Sequence, residues 1–162
     1  MDKIILCSYD KKLMLEKMTA WSVCLDIKTS KDVLLKKQKT FFMWSWIKSF
    51  LPNSWWVKVY WRSSLSKRWI MFLNGIWIID SDYRGEWMIP LYNITNEDIN
   101  IKKYERIAQV EIFYYYDFEN NNNINKEIPK LQIIINDWVY KDFADIYPSA
   151  RWIWWFWSTN NL

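Results

Sequence analysis

Short apolar runs recur along the chain, each closed off by polar or turn-forming residues. They fall at 3–9 (KIILCSY), 33–44 (VLLKKQKTFFMW), 56–61 (WVKVYW), 77–83 (WIIDSDY), 87–94 (WMIPLYNI), 108–116 (AQVEIFYYY) and 130–137 (KLQIIIND). The punctuation between them is Pro52-Asn53, Asn74-Gly75, Asn93 and the run Asn120–Asn123. Short β-prone runs separated by turn signals predict an all-β sandwich or barrel, since strands that alternated with helices would need longer connections of helical period. Residues 137–147 (DWVYKDFADIY) carry a weak helical signal. The asparagine run predicts a solvated loop, and neither an internal repeat nor a domain linker breaks the pattern.

Composition narrows the picture. A chain of 162 residues supports one domain with a real core. The net charge of +4 permits contact with a nucleotide or polyanion without demanding nucleic acid. Two cysteines, Cys7 and Cys24, make neither a disulfide framework nor a metal set, which predicts a reducing, cytoplasmic setting. The N-terminal apolar core is too short for a signal peptide, and 70–80 (IMFLNGIWIID) is interrupted at Asn74 and Gly75, so no membrane association is expected. Histidine is absent. That removes Ser-His, Cys-His and His-ligated zinc chemistry and leaves carboxylates, Lys, Tyr or a bound metal.

Four clusters combine charge with hydroxyl or amide groups. Residues 61–69 (WRSSLSKRW) place Arg62 beside Ser63 and Ser64, donors suited to phosphate oxygens; a polar hairpin end explains them about as well. Residues 74–86 (NGIWIIDSDYRGE) hold Asp80, Asp82 and Glu86 around Tyr83 and Arg84. A carboxylate at the end of an apolar strand suits a general base or a magnesium contact, although a lone one is more often a turn acid. Residues 104–112 (YERIAQVEI) set Arg106 and Gln109 on a strand, and 151–159 (RWIWWFWST) repeat the phosphate-type donors around Phe156.

In order and spacing these clusters resemble the motifs of the trimeric deoxyuridine triphosphate nucleotidohydrolase (dUTPase) family, from about Ser22 to Thr159. SVCLDI (22–27) is similar to the first motif, RSSLS (62–66) to the second, and NGIWIIDSDYRGE to the third. ERIAQ (105–109) follows as the fourth and RWIWWFWST as the fifth. The run from Ile79 to Glu86 is the most specific match. The resemblance implies a jelly-roll-like domain over 1–149, a C-terminal arm over 150–162, and a homotrimer whose sites lie between subunits. It implies hydrolysis of dUTP to dUMP and pyrophosphate with Mg²⁺, with Asp80 activating the attacking water. On the same footing, Tyr83 packs on the deoxyribose, Asn74 and Ile79 belong to the uracil-reading hairpin, and Arg62, Ser63, Ser64 and Gln109 contact phosphates. Asp26 reaches the metal through water. Arg151, Phe156, Ser158 and Thr159 belong to the arm, with Phe156 on uracil and the others at the γ-phosphate. The implied partners are dUTP and further copies of the chain.

One departure is systematic. Average glycine usage near 7% predicts about 11 glycines in this length; the chain has 2, alongside 14 tryptophans. Tryptophan stands where the family carries glycine, at Trp21, Trp46, Trp61, Trp69, Trp77, Trp152, Trp154, Trp155 and Trp157. Phosphate-cradling loops need glycine for positive φ and close backbone approach. A bulky residue at positive φ costs on the order of 1–3 kcal/mol. Glycine GGA and the codon UGA differ by one base, and some bacteria decode UGA as glycine. The pattern predicts that these nine positions are glycine in the cell and that the gene has been read with UGA as tryptophan.

Two other readings compete. dCTP deaminases share the Arg-Ser-Ser signature, but Pro90 occupies the position where alignment puts their catalytic glutamate. Taken literally, the interleaved Trp and Lys/Arg of 45–69 suit an inactive relative that stacks bases or touches lipid. Against this, the tryptophans follow glycine positions and not one face of any element.

Overall fold

In the computed structural model, residues 3–114 and 130–148 are described. The strands in chain order are β1 (Lys3–Ser8), β2 (Leu25–Lys28), β3 (Val33–Leu35), β4 (Thr40–Trp44), β5 (Lys48–Phe50) and β6 (Trp55–Trp61), then β7 (Ile70–Phe72), β8 (Trp77–Ile79), β9 (Met88–Asn93), β10 (Ile99–Ile101), β11 (Arg106–Tyr114) and β12 (Lys130–Ile135). One short helix, α1 (Ser63–Ser66), follows β6, and two more, α2 (Asp137–Lys141) and α3 (Phe143–Ile146), follow β12. The strands form four small sheets, ordered β12-β1-β5, β10-β3, β2-β11-β6-β8 and β4-β9-β7. The all-β, jelly-roll-like expectation holds, and the weak helical signal at 137–147 becomes α2 and α3.

Burial follows side-chain alternation. In β3, β7 and β8 the first and third residues are buried and the middle one is exposed, the period-2 signature of a sheet with one wet face. β1 differs, being buried from Ile4 to Ser8 without a break. Ile4 and Leu6 join the main core, whereas Ile5 and Cys7 pack with Tyr140 and Phe143 of the helical segment. A strand covered on both faces needs an apolar run without alternation, and KIILC supplies it. β1 pairs in parallel with β12 and antiparallel to β5.

The tryptophans divide into two populations. Trp87 is completely buried and donates its indole N–H to Ser49 Oγ at 3.1 Å, as a genuine core indole must. Truncating it to Ala is expected to cost about 3–5 kcal/mol, measurable as a shift in the urea midpoint. By contrast Trp21 is 93% and Trp69 65% exposed. Trp46 and Trp69 take the left-handed region, at φ 60° and 56°, where a Cβ is penalised and glycine is not. Trp77 departs from the glycine expectation: at 2% exposure it packs within the main core on β8, where its indole fills space that glycine would leave empty. Among the described residues no helix is long and apolar enough to cross a membrane.

Candidate functional site

Three adjacent strands assemble the basic part of the site. Gln109 on β11 faces Asp26 on β2 in one ladder and Tyr60 on β6 in the other. β6 ends at Trp61, so Arg62 emerges beside the same ladder and its Nε lies 3.1 Å from Asp26 Oδ1. Arg106, at the start of β11, places its Nε 3.9 Å from Oδ2 of the same carboxylate. Arg62 also donates to the Arg106 carbonyl at 3.4 Å. Asp26 is only 5% exposed, and its Oδ2 accepts no hydrogen bond among the described residues. Two guanidiniums around one carboxylate leave a net positive charge, the arrangement an incoming phosphate needs. Ser63 and Ser64 follow on α1 with exposed side chains.

A cleft of about 430 Å³ opens beside this cluster, lined by Tyr60, Trp61, Gly75, Ile76 and Gln109. It joins the end of β6, just before the second motif, and Gln109 of the fourth to the turn between β7 and β8, strands of different sheets. Asn74 is exposed in that turn, where Gly75 takes φ 67° and donates its N–H to the Phe72 carbonyl. A smaller groove of about 230 Å³ runs along Trp61, Ser66, Trp69, Ile70, Met71 and Ile94. Trp61 borders both spaces and Trp69 the second, so two of the nine positions expected to be glycine supply indoles to their walls.

The third motif forms a tight loop after β8. Ile79 is buried in the core and Asp80 follows it at the strand end, half-buried. Tyr83 N–H donates to the Asp80 carbonyl at 3.2 Å, closing the turn. Tyr83 is 5% exposed and its hydroxyl donates to the Glu86 carbonyl at 2.9 Å. Its ring crosses Gly85 so closely that a Cβ there would clash with the phenol ring, so any larger residue at 85 would have to push Tyr83 aside. Arg84 is buried, lies over the Phe50 ring and donates to the Ser81 and Tyr147 carbonyls, both at 2.7 Å. The Glu86 carboxylate accepts from Trp46 N–H at 2.7 Å and from the Tyr140 hydroxyl at 2.6 Å. Burial raises the Glu86 carboxyl, against the pull of these donors and of Lys48, and burial likewise lowers the Lys48 ammonium.

The expected site residues therefore form two groups. Asp26, Arg62 and Gln109 meet at one end of the β2-β11-β6-β8 sheet, with the Asn74 turn over the cleft. Asp80 lies elsewhere: β8 runs antiparallel to β6 with Ile79 opposite Val57, so Asp80 and Arg62 leave opposite ends of the pair. At about 3.3 Å per residue they stand ~20 Å apart along the strands. Arg151, Phe156, Ser158 and Thr159, and the 149/150 boundary, lie outside the described residues.

No cluster of three His, Cys, Asp or Glu side chains among the described residues could hold a metal ion unaided. Magnesium, however, usually keeps several waters and takes one or two carboxylates together with substrate phosphates. Asp26 fits that mode, with Oδ2 still able to accept from a metal-bound water. Among these residues, Arg106, Arg84, Glu86 and Tyr140 have no role implied by the motifs. Arg106 has a recoverable signal, since it precedes Gln109 by one strand repeat plus a bulge between Arg106 and Ala108. Tyr140 has none, because its partner is brought to it only by tertiary packing.

Comparison with known proteins gives a consistent result. The family model described as dUTPase matches residues 10–132. Deoxyuridine 5'-triphosphate nucleotidohydrolases of Escherichia phage T5 and Finegoldia magna are 39% and 35% identical to the chain, over 70 and 92 residues. These stretches cover 43% and 56% of this chain but only 47% and 64% of the relatives' own lengths. Among solved structures, the dUTPase of Streptococcus mutans superposes with a TM-score of 0.64 at 19% identity, covering 68% of this chain and 92% of its own. The Staphylococcus bacteriophage 80alpha dUTPase, in a structure with dUpNHpp, gives 0.62 at 19% identity, covering 79% and 100%. At such identities the structures establish the fold.

Proposed function

Since this chain belongs to the dUTPase family, we propose that it hydrolyses dUTP to dUMP and pyrophosphate. The observation that carries this reading is the third motif, whose carboxylate Asp80 stands at a strand end on a loop fixed by Tyr83, Arg84 and Glu86. Asp80 would orient and deprotonate the water that attacks the α-phosphorus, with pyrophosphate leaving. Arg62, with Gln109, Ser63 and Ser64 near it, would bind the phosphates, and Asn74 and its turn would read uracil mainly through main-chain groups. The Tyr83 ring, locked by its hydroxyl bond and its crowding on Gly85, would act as a fixed wall against a 2′-hydroxyl. Bound Mg²⁺ would neutralise charge on the phosphate oxygens, with Asp26 meeting it through water. The arm residues Arg151, Phe156, Ser158 and Thr159 would complete the site over the base and γ-phosphate.

The separation of Asp80 from Arg62 supports a homotrimeric site. A triphosphate cannot place its α-phosphorus against a base and its phosphates against Arg62 of one chain if these lie ~20 Å apart. Subunits meeting face to edge would bring the two groups together. Mixing Asp80→Asn and Arg62→Gln chains, each inactive alone, tests this after unfolding and reassembly. Complementation should restore about a quarter of the wild-type pyrophosphate release for random assembly of sites shared between two subunits. No recovery in mixed trimers would place both residues in one subunit's site. Failure of the wild-type protein to release pyrophosphate from dUTP would refute the activity itself.

A further inference from the structure

The third-motif loop makes two ties to the helical segment that ends the described chain, and one runs through a residue with no assigned role. The Tyr140 hydroxyl donates to the Glu86 carboxylate at 2.6 Å. The Glu86 carbonyl accepts from the Tyr83 hydroxyl at 2.9 Å, and Tyr83 N–H closes the turn on the Asp80 carbonyl at 3.2 Å. Tyr140, Glu86, Tyr83 and Asp80 thus form one hydrogen-bonded succession from α2 to the base. The second tie runs from Arg84 Nε to the Tyr147 carbonyl at 2.7 Å.

Tyr140 is itself held on several sides. Lys48 Nζ donates to its carbonyl at 2.7 Å and sits 4.5 Å from its ring centroid. Tyr9 meets the ring edge-on at 5.1 Å, and the residue is buried with Ile5, Cys7 and Phe143. A side chain fixed in this way can fix its partner. The Glu86 carboxylate also takes the N–H of Trp46, a main-chain donor that any residue at position 46 would supply.

We propose that Tyr140 is a positioning residue for the hydrolysis: through Glu86 it braces the 80–86 loop and holds Asp80 and Tyr83 in register with the substrate. The proposal rests on the dUTPase reading above. A brace differs from a purely structural bond in what its loss does. A structural bond changes how much protein is folded, whereas a brace changes the chemistry of each folded molecule. Small misplacements of a base or of a sugar-contacting wall lower turnover far more than they lower binding.

The test is Tyr140→Phe, which keeps the ring against Tyr9 and Lys48 and deletes only the hydroxyl. The expected result is a kcat lowered by about fivefold or more with KM for dUTP within about twofold. The preference for dUTP over UTP should narrow together with kcat, because Tyr83 loosens with Asp80. Glu86→Ala, which removes the phenol's acceptor, should show the same kcat-selective loss as Tyr140→Phe. If Tyr140→Phe fails to fold, Arg84→Lys, which cuts the second tie, must show the same kcat-selective loss. Wild-type kcat and sugar preference in the folded variant would overturn the brace. So would losses that merely track the folded fraction by near-ultraviolet circular dichroism. A wild-type protein that does not hydrolyse dUTP would refute the underlying reading instead, and the brace would fall with it.

Discussion

A chain carrying glycine at positions 21, 46, 61, 69, 77, 152, 154, 155 and 157 is expected to release pyrophosphate from dUTP at least ~100-fold faster than the chain with tryptophan there. The structure gives this a physical basis at several of these positions. Trp46 and Trp69 lie in the left-handed region, where an L-residue costs roughly 1–2 kcal/mol and glycine does not. Trp46 N–H is the donor that Glu86 uses, so glycine would keep that contact and relieve the strain while giving up the indole's packing on Tyr9 and Lys103. Trp69 projects an indole that is 65% exposed, so little packing is lost with it. Trp69→Gly alone should raise stability by about 1 kcal/mol, or Tm by about 2–4 °C. Trp61 borders the cleft beside Gln109, and its removal would open that space to a ligand. Trp77 must be judged separately, since its indole fills core volume. Reading the codons decides every position: UGA supports glycine, and UGG at Trp152, Trp154, Trp155 and Trp157 overturns it. Equal turnover by the two chains would refute the functional side of the argument.

The second large effect is at Asp80. Asp80→Asn keeps the shape and the strand-end position but cannot take a proton from water. Turnover is expected to fall on the order of 10³-fold, the middle of the range for losing a general base. Affinity for a non-hydrolysable dUTP analogue should change by less than about threefold, because in the proposed site Arg62, Gln109, Ser63 and Ser64 hold the phosphates while Asp80 acts on the water. Isothermal titration beside a single-turnover assay separates the two. A variant that binds normally and still turns over within about tenfold of wild type would remove Asp80 from its role.

Much of the fold could be read in advance where a strand was long enough to show its own pattern. β1, β4, β9 and β12 fall within apolar runs bounded by turn residues, and β6 and β11 overlap theirs, starting one and two residues earlier. β5, β7 and β10 did not stand out, since each has only three residues, too few for a sequence pattern to emerge; β5 and β7 pair with the longer β1 and β9, and β10 with the equally short β3. The site divides similarly. Asp26, Arg62, Asp80 and Gln109 were legible because motif spacing survives where the intervening glycines do not. Tyr140 and the paired use of Arg106 were not, since both depend on strands and helices far apart in sequence. Glu86 was visible as a carboxylate, but its two donors come from the turn before β5 and from α2.

The parallel pairing of β1 with β12 has a consequence for biosynthesis. β1 must wait for β12 before its far edge is covered, and α2 and α3 emerge later still. Until then the growing chain carries an unpaired apolar edge, KIILC, of the kind that seeds aggregation. Closing so long a loop also slows folding relative to a fold built from local contacts. A ribosome that terminates at a UGA at position 21, 46, 61, 69 or 77, in a host that reads the codon as stop, would release chains lacking β12. Those fragments would lack more than the C-terminal residues, because their first strand would have no partner on one side.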